Sequence, residues 1–204
     1  MSKFQKVLVV RAKPHNINKE EQFLDGILSI GWPTKDTLEG KTREEVEEII
    51  NNEFDNVKQL DITQIMMFIK LPIGSIVLTP SYKNRRIHVF ETTSEYQFRQ
   101  DFFEEGNPHT IQANYLSTIE REEFPEVIRR SLKAARKPVT NYSKYEEEIN
   151  EIVNKIKQIR KSEQIEKNAD NSQNRAKQAL EELLESDNEE IKLQAALALL
   201  KIKK

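Results

Sequence analysis

The feature that most constrains this chain is an abrupt change of composition near Asn141. All seven prolines, all five glycines, the single tryptophan and all nine phenylalanines lie before it. Beyond it the only aromatics are Tyr142 and Tyr145, and nothing there breaks a helix. Glycine and proline punctuate short strands and turns, so their loss leaves helix as the one regular structure open to the C-terminal part. The expected fold class is therefore α+β. Residues 1–140 are read as a small twisted β-barrel with flanking helices, followed by an all-α tail. In that tail, 141–162 reads as an amphipathic helix, 163–174 as a polar linker and 175–204 as a helical hairpin.

The elements of the first part follow from local pattern. Lys6–Arg11 is a β-branched strand closing on an arginine, and Gly26–Pro33 a second strand ending at Gly31-Trp32-Pro33. Asn18–Leu24 can form a short helix. Thr42 followed by Glu45 is a capping box, and Val46, Ile49 and Ile50 give its helix an apolar face. Ile62, Ile65, Met66 and Ile69 recur at helical spacing. Gly74–Pro80 and Arg86–Glu91 read as strands around a polar turn at Tyr82–Arg85, with further strands at Tyr96–Phe98 and Ile111–Leu116. Strands this short, with so few helices between them, favour a small barrel over a doubly wound parallel sheet. In the tail, Tyr145, Ile149, Ile152, Ile156 and Ile159 form a stripe of heptad spacing. Asp187 with Glu190 is the expected cap of the last helix.

Composition excludes several functions. With 32 Lys and Arg against 34 Asp and Glu the chain is not basic in bulk, so any nucleic-acid contact needs a local patch. No window approaches the roughly 20 apolar residues of a membrane span, and the N-terminal apolar run Val7–Val10 is too short for a secretory leader. With no cysteine, disulfides and thiolate zinc sites are out of reach, which suits a cytoplasmic protein. His15, His88 and His109 lack metal-ligand spacing, and no phosphate loop or nucleophile elbow occurs. Glu190-Ile191-Lys192 spells a nuclease-like E-x-K, but within a helix and without an acidic strand upstream. No enzyme activity, cofactor or metal is expected.

The order of certain blocks carries a resemblance. These are Val10-Arg11-Ala12, then Ile30-Gly31-Trp32-Pro33, then Phe68 before Pro72-Ile73-Gly74-Ser75-Ile76-Val77. They continue with Tyr96-Gln97-Phe98, His109, and Ile111–Leu116 leading into Ile119-Glu120-Arg121. Over roughly Val7 to Leu132 the chain resembles the PUA/EVE-like N-terminal module found beside Mrr-type restriction nucleases, here without the nuclease. It departs from that pattern at Ser75, where the family writes Asp, and at Tyr115, where it writes Trp. The resemblance implies a small β-barrel receiving a flipped or unpaired, often modified, base in an aromatic pocket, and a link to restriction or phage defence. A π-face stacks on any base, and a few polar groups read its edge.

On that reading the candidate base-binding residues are Trp32, Tyr82, Tyr96, Phe98, Arg11 and His109, although Trp32 at a strand end serves equally as a core plug. Tyr96 and Phe98 flank Gln97 and so share one face of a strand. Candidate phosphate contacts are Lys83, Arg85 and Arg86 in the basic turn, and Arg129, Lys133 and Arg136 along one helix face. The expected function is a non-catalytic reader of nucleic acid or a modified nucleotide. The helical tail would assemble it as a homo-oligomer or on a protein partner. An oligomeric adaptor with a vestigial pocket and a sponge for a free nucleotide messenger are the alternatives.

Overall fold

The computed structural model describes the backbone of residues 6–202 and their side chains except those of 165–171, 173, 201 and 202. Met1 to Gln5, to which part of the leader argument applies, and Lys203 and Lys204 of the expected hairpin lie outside the described residues. By compactness the chain divides into a unit ending at Asn154 and a second beginning at Lys155.

The first unit is built on one six-stranded mixed sheet, curled into a half-barrel. Its strands are β1 (Val7–Val10), β2 (Ile27–Ile30), β3 (Ile76–Pro80), β4 (Arg86–Phe98), β5 (His109–Glu120) and β6 (Val139–Asn141). They lie in the order β2-β5-β4-β3-β1-β6, with only β1 and β3 parallel. The blocks Arg86–Glu91 and Tyr96–Phe98, read as two strands, are one long β4 that bulges between Thr92 and Tyr96. Four helices accompany the sheet: α1 (Glu20–Leu24), α2 (Arg43–Glu53), α3 (Gln59–Ile69) and α4 (Glu126–Ala134).

The barrel does not close. β2 pairs only with β5 and β6 only with β1, so the sheet keeps two edges. One reason is α3: the buried Gln64 side chain accepts the Val139 N–H at 3.1 Å, where closure would need another strand. Val46 and Ile50 of α2 and Ile62, Ile65 and Phe68 of α3 form one buried cluster with Leu8, Val10, Leu28, Ile30, Val77, Phe90 and Ile111 from the strands. Val7 and Val9, which point to the opposite face of β1, are buried as well. A strand covered on both faces reads as the uninterrupted apolar run V-L-V-V.

Local chemistry explains the helix ends. Thr42 Oγ1 accepts from the Glu45 N–H at 3.2 Å, and the Glu45 carboxylate accepts from the Thr42 N–H at 2.7 Å. The helix α4 stops at Ala134, where Ala135 is already extended, and Pro138 three residues further on bars its continuation. Tyr142 then donates its N–H to the Val7 carbonyl at 2.8 Å, which ties this segment to β1.

The helix α5 (Glu146–Leu183) runs through Ser162–Asn174 without a break, where the sequence reading placed a linker. The segment lacks an apolar stripe but also lacks Gly and Pro, and its Glu, Gln, Lys and Ala are strong helix formers that carry the weaker Asn, Asp and Ser between them. On α5 the buried residues are Ile149, Val153 and Ile156, so Val153 takes the place expected for Ile152, and Ile159 is exposed. After a turn comes α6 (Glu189–Ile202), capped by Asn188 rather than Asp187: its Oδ1 accepts the Glu190 N–H at 2.9 Å. No described helix is long and apolar enough to cross a membrane.

Candidate functional site

A cleft of about 250 Å³ opens where the ends of β1 and β2 meet the segment before β6, lined by Arg11, Lys13, Pro14, His15, Ile30, Gly31, Trp32 and Pro138. Its floor is apolar and its rim cationic. That volume lies just under the ~300–1,000 Å³ of pockets for drug-sized ligands, and suits one flat ring system with its substituents.

Trp32 stands on this wall half-buried, with φ at +61°. For a bulky residue that backbone is an outlier, costing on the order of 1–2 kcal/mol relative to ordinary geometry. A buried chain of hydrogen bonds holds it there. The His109 Nε2 lies 2.8 Å from the Trp32 carbonyl oxygen and 3.3 Å from Thr34 Oγ1. A carbonyl only accepts, so Nε2 carries the proton and Nδ1 is the acceptor. Tyr96 then donates its hydroxyl to Nδ1 at 2.8 Å and accepts the Leu38 N–H at 3.2 Å. Burial pushes the His109 pKa down to about 4, against the smaller opposing effect of the bond to Trp32, so the ring is neutral near pH 7. Burial likewise raises the Tyr96 phenol, which stays protonated as a donor.

Tyr96, Phe98 and His109 are therefore not cleft walls. The rings of Tyr96 and Phe98 each lie 5.8 Å from that of His109, on one face of β4 as strand alternation requires. Among the candidates, only Trp32 and Arg11 line the cleft. Tyr82 joins them at second hand: Arg11 donates its Nε–H to the Tyr82 hydroxyl at 3.3 Å, and Lys13 Nζ sits 5.0 Å from the centre of the Tyr82 ring. Arg11 also donates from its guanidinium to the Arg136 carbonyl at 3.3 Å.

A second concavity, a groove of about 400 Å³, is lined by Arg85, Arg121, Arg129, Arg130 and Lys133 with Glu122 and Glu126. Arg130 pairs with Glu126, and Arg85 lies 4.0 Å from Glu122. Arg121, Arg129 and Lys133 have no carboxylate partner among the described residues, so the groove carries uncompensated positive charge. It unites Arg85 of the basic turn with Arg129 and Lys133 of α4. Two expected phosphate contacts fall outside it. Arg86 is paired with Glu120 at 2.6 Å, and Arg136 lies beyond the end of α4 rather than on its face. Lys83 is exposed on the turn and lines neither concavity.

The turn after β3 links the two sites, with Tyr82 beside the cleft and Arg85 on the groove. Three residues fully extended span at most about 11 Å, so the two rims are close. A buried carboxylate anchors that turn. Glu20 accepts from Ser81 Oγ at 2.7 Å, the Tyr82 N–H at 3.2 Å and His88 Nε2 at 2.7 Å. Burial raises the Glu20 pKa, but the bonds from Ser81, His88 and Tyr82 outweigh it and hold the carboxyl below its ordinary value.

Sequence reasoning missed Lys13, His15 and Arg121 at the two sites, and the Glu20–His88 pair behind the turn. Lys13 and His15 flank Pro14 directly after Arg11, a signal that was available. The two members of the buried pair come from distant elements and carry none. Among the described residues no group of three or more His, Asp or Glu side chains could hold a metal ion. No protein-family model, curated protein or solved structure matches the chain.

Proposed function

We propose that this chain is a non-catalytic binding module for nucleic acid or a modified nucleotide, with one base stacked beside Trp32 and backbone phosphates on Arg11, Lys13 and the basic groove. One observation carries this reading. A tryptophan is held in left-handed backbone on the wall of a ring-sized cleft, with two cations on the rim. An indole supplies a stacking face that tolerates any base, worth roughly 1–3 kcal/mol. The resemblance of the Ile30-Gly31-Trp32-Pro33 block and its neighbours to PUA/EVE-like modules of Mrr-type restriction systems supports the same ligand class, and on it rests the proposed role in restriction or phage defence.

Trp32 is the only tryptophan, so its fluorescence reports directly on the cleft. Adding single-stranded oligonucleotide is expected to quench it. Trp32→Ala is expected to weaken binding by about 1–3 kcal/mol and, because the residue is half-exposed, to leave a folded protein. A folded variant that binds as tightly as wild type removes the cleft assignment. Salt separates a polymer ligand from a free nucleotide: a strand lying on cleft and groove together loses affinity with a slope of about −0.7 per phosphate contacted.

A specific observation supports the assembly role of the tail. On α6, Leu193, Leu197 and Leu200 share one face and are 62%, 52% and 65% exposed. Apolar surface of this kind marks interaction sites. Light scattering is expected to give more than one copy for the full chain and a monomer for Leu193→Glu with Leu197→Glu. A monomer in both cases removes self-assembly from the proposal.

A further inference from the structure

His15 sits in a tight turn, Pro14–Asn16, between β1 and α1, and lines the cleft together with Trp32. Its φ is +47° and that of the following Asn16 is +70°. Consecutive non-glycine residues in left-handed backbone are rare, and such strain persists only where the surroundings over-determine it. The surroundings here are two glycines. A methyl group built at Gly31 would meet the His15 ring first, with Nε2 at 3.0 Å, and one built at Gly106 would meet its Cδ2 at 2.9 Å. At each glycine the three nearest atoms to such a methyl all belong to His15.

The His15 side chain is exposed, and its imidazole rests by the Nε2–Cδ2 edge against two residues whose lack of a side chain makes the space. The other ring nitrogen, Nδ1, is not among these contacts, and neither nitrogen has a hydrogen-bond partner among the described residues. A polar ring seated against two glycines, with its nitrogens free of protein partners among the described residues, beside a stacking indole is what base discrimination needs. The stack holds the base by its face, and only an edge contact distinguishes one base from another. Trp32 and the cations supply affinity without supplying choice.

Resting on the reading of the cleft as a base site, we infer that His15 is its specificity-determining residue, reading the edge of the stacked base with an imidazole that Gly31 and Gly106 keep in place. The test uses full-length protein and four single strands of about 12 nucleotides, a typical single-strand site size, identical except for one central A, C, G or T. The readout is the ratio of tightest to weakest dissociation constant. Wild type is expected to show a preference, and His15→Ala to shrink it by roughly five- to tenfold, the worth of one edge hydrogen bond, with the salt slope unchanged. Gly31 has ordinary backbone, so Gly31→Ala pushes on the ring without adding backbone strain, and it is expected to shrink the ratio as His15→Ala does. In the His15→Ala background it is expected to do nothing more. A wild-type ratio near one, or a ratio that survives His15→Ala, overturns the inference. If in that case Trp32→Ala still weakens binding to all four strands, the base-stacking reading stands and only the role of His15 falls.

Discussion

The bond from His109 to the Trp32 carbonyl makes acid a probe of the cleft. The ring is fully buried, and its pKa in the folded chain is about 4 against an ordinary 6.5. A base whose pKa is lowered on folding takes up its proton more readily in the unfolded chain. Between about pH 6.5 and 4 the unfolded state thus binds more protons, and stability falls as pH falls through that window. A shift of about 2.5 units at 1.36 kcal/mol each gives roughly 3.4 kcal/mol in full, of which about 2.4 is lost between pH 7 and 4.5. Urea unfolding at the two pH values measures it, with His109→Gln as the reference. Glutamine keeps a donor for the Trp32 carbonyl but does not titrate. The variant is expected to start about 1–3 kcal/mol lower at pH 7, because the Tyr96 hydroxyl loses its buried acceptor. Its loss on acidification is expected to be smaller than that of wild type by about 2–3 kcal/mol. Glu20 also loses stabilisation in acid, but equally in both proteins, so it cancels in the difference. Equal losses in the two proteins refute a neutral buried His109 as the clamp on Trp32.

Two further outcomes follow from the geometry. Arg129→Glu with Lys133→Glu is expected to weaken oligonucleotide binding whatever the sequence and to flatten its dependence on salt. Arg136→Glu, off the groove, is expected to change that slope less; equal effects from both variants deny the groove its role. Gln64→Leu removes the acceptor of the Val139 N–H and is expected to cost about 1–3 kcal/mol in urea unfolding, and an unchanged midpoint removes Gln64 as the cap of that sheet edge.

What the sequence exposed were features written in neighbouring residues. The Thr42–Glu45 cap, the apolar run of β1 and the helical spacing in α3 all lie within one turn or one strand and were legible. Depth was not. Tyr96, Phe98 and His109 have the chemistry of a pocket wall, but only packing shows that they cluster on one another, away from the cleft lining, with His109 bonded to the Trp32 carbonyl. β6 has three residues and no alternation to read. The cap on the β6 edge joins Gln64 and Val139, far apart in sequence. The end of α4 was written in Pro138, and giving that proline its weight would have taken Arg136 off the helix face. Ser162–Asn174 was misjudged because it lacks an apolar stripe and holds several Asn, Asp and Ser, although nothing in it breaks a helix.

The place of β1 between β3 and β6 has a consequence for synthesis. Val7 pairs with Ile76 and Leu8 with Asn141, so the first strand made waits for the last. Pairings between distant residues form slowly, because the intervening chain must be ordered first. Meanwhile Val7–Val10 emerges from the ribosome as an apolar ribbon with both edges open, the kind of segment that joins other chains into aggregates. Completion of the sheet is thus gated by β6: a nascent chain stalled or cut between Pro80 and Val139 carries its apolar first strand half-paired, with one edge open to other chains.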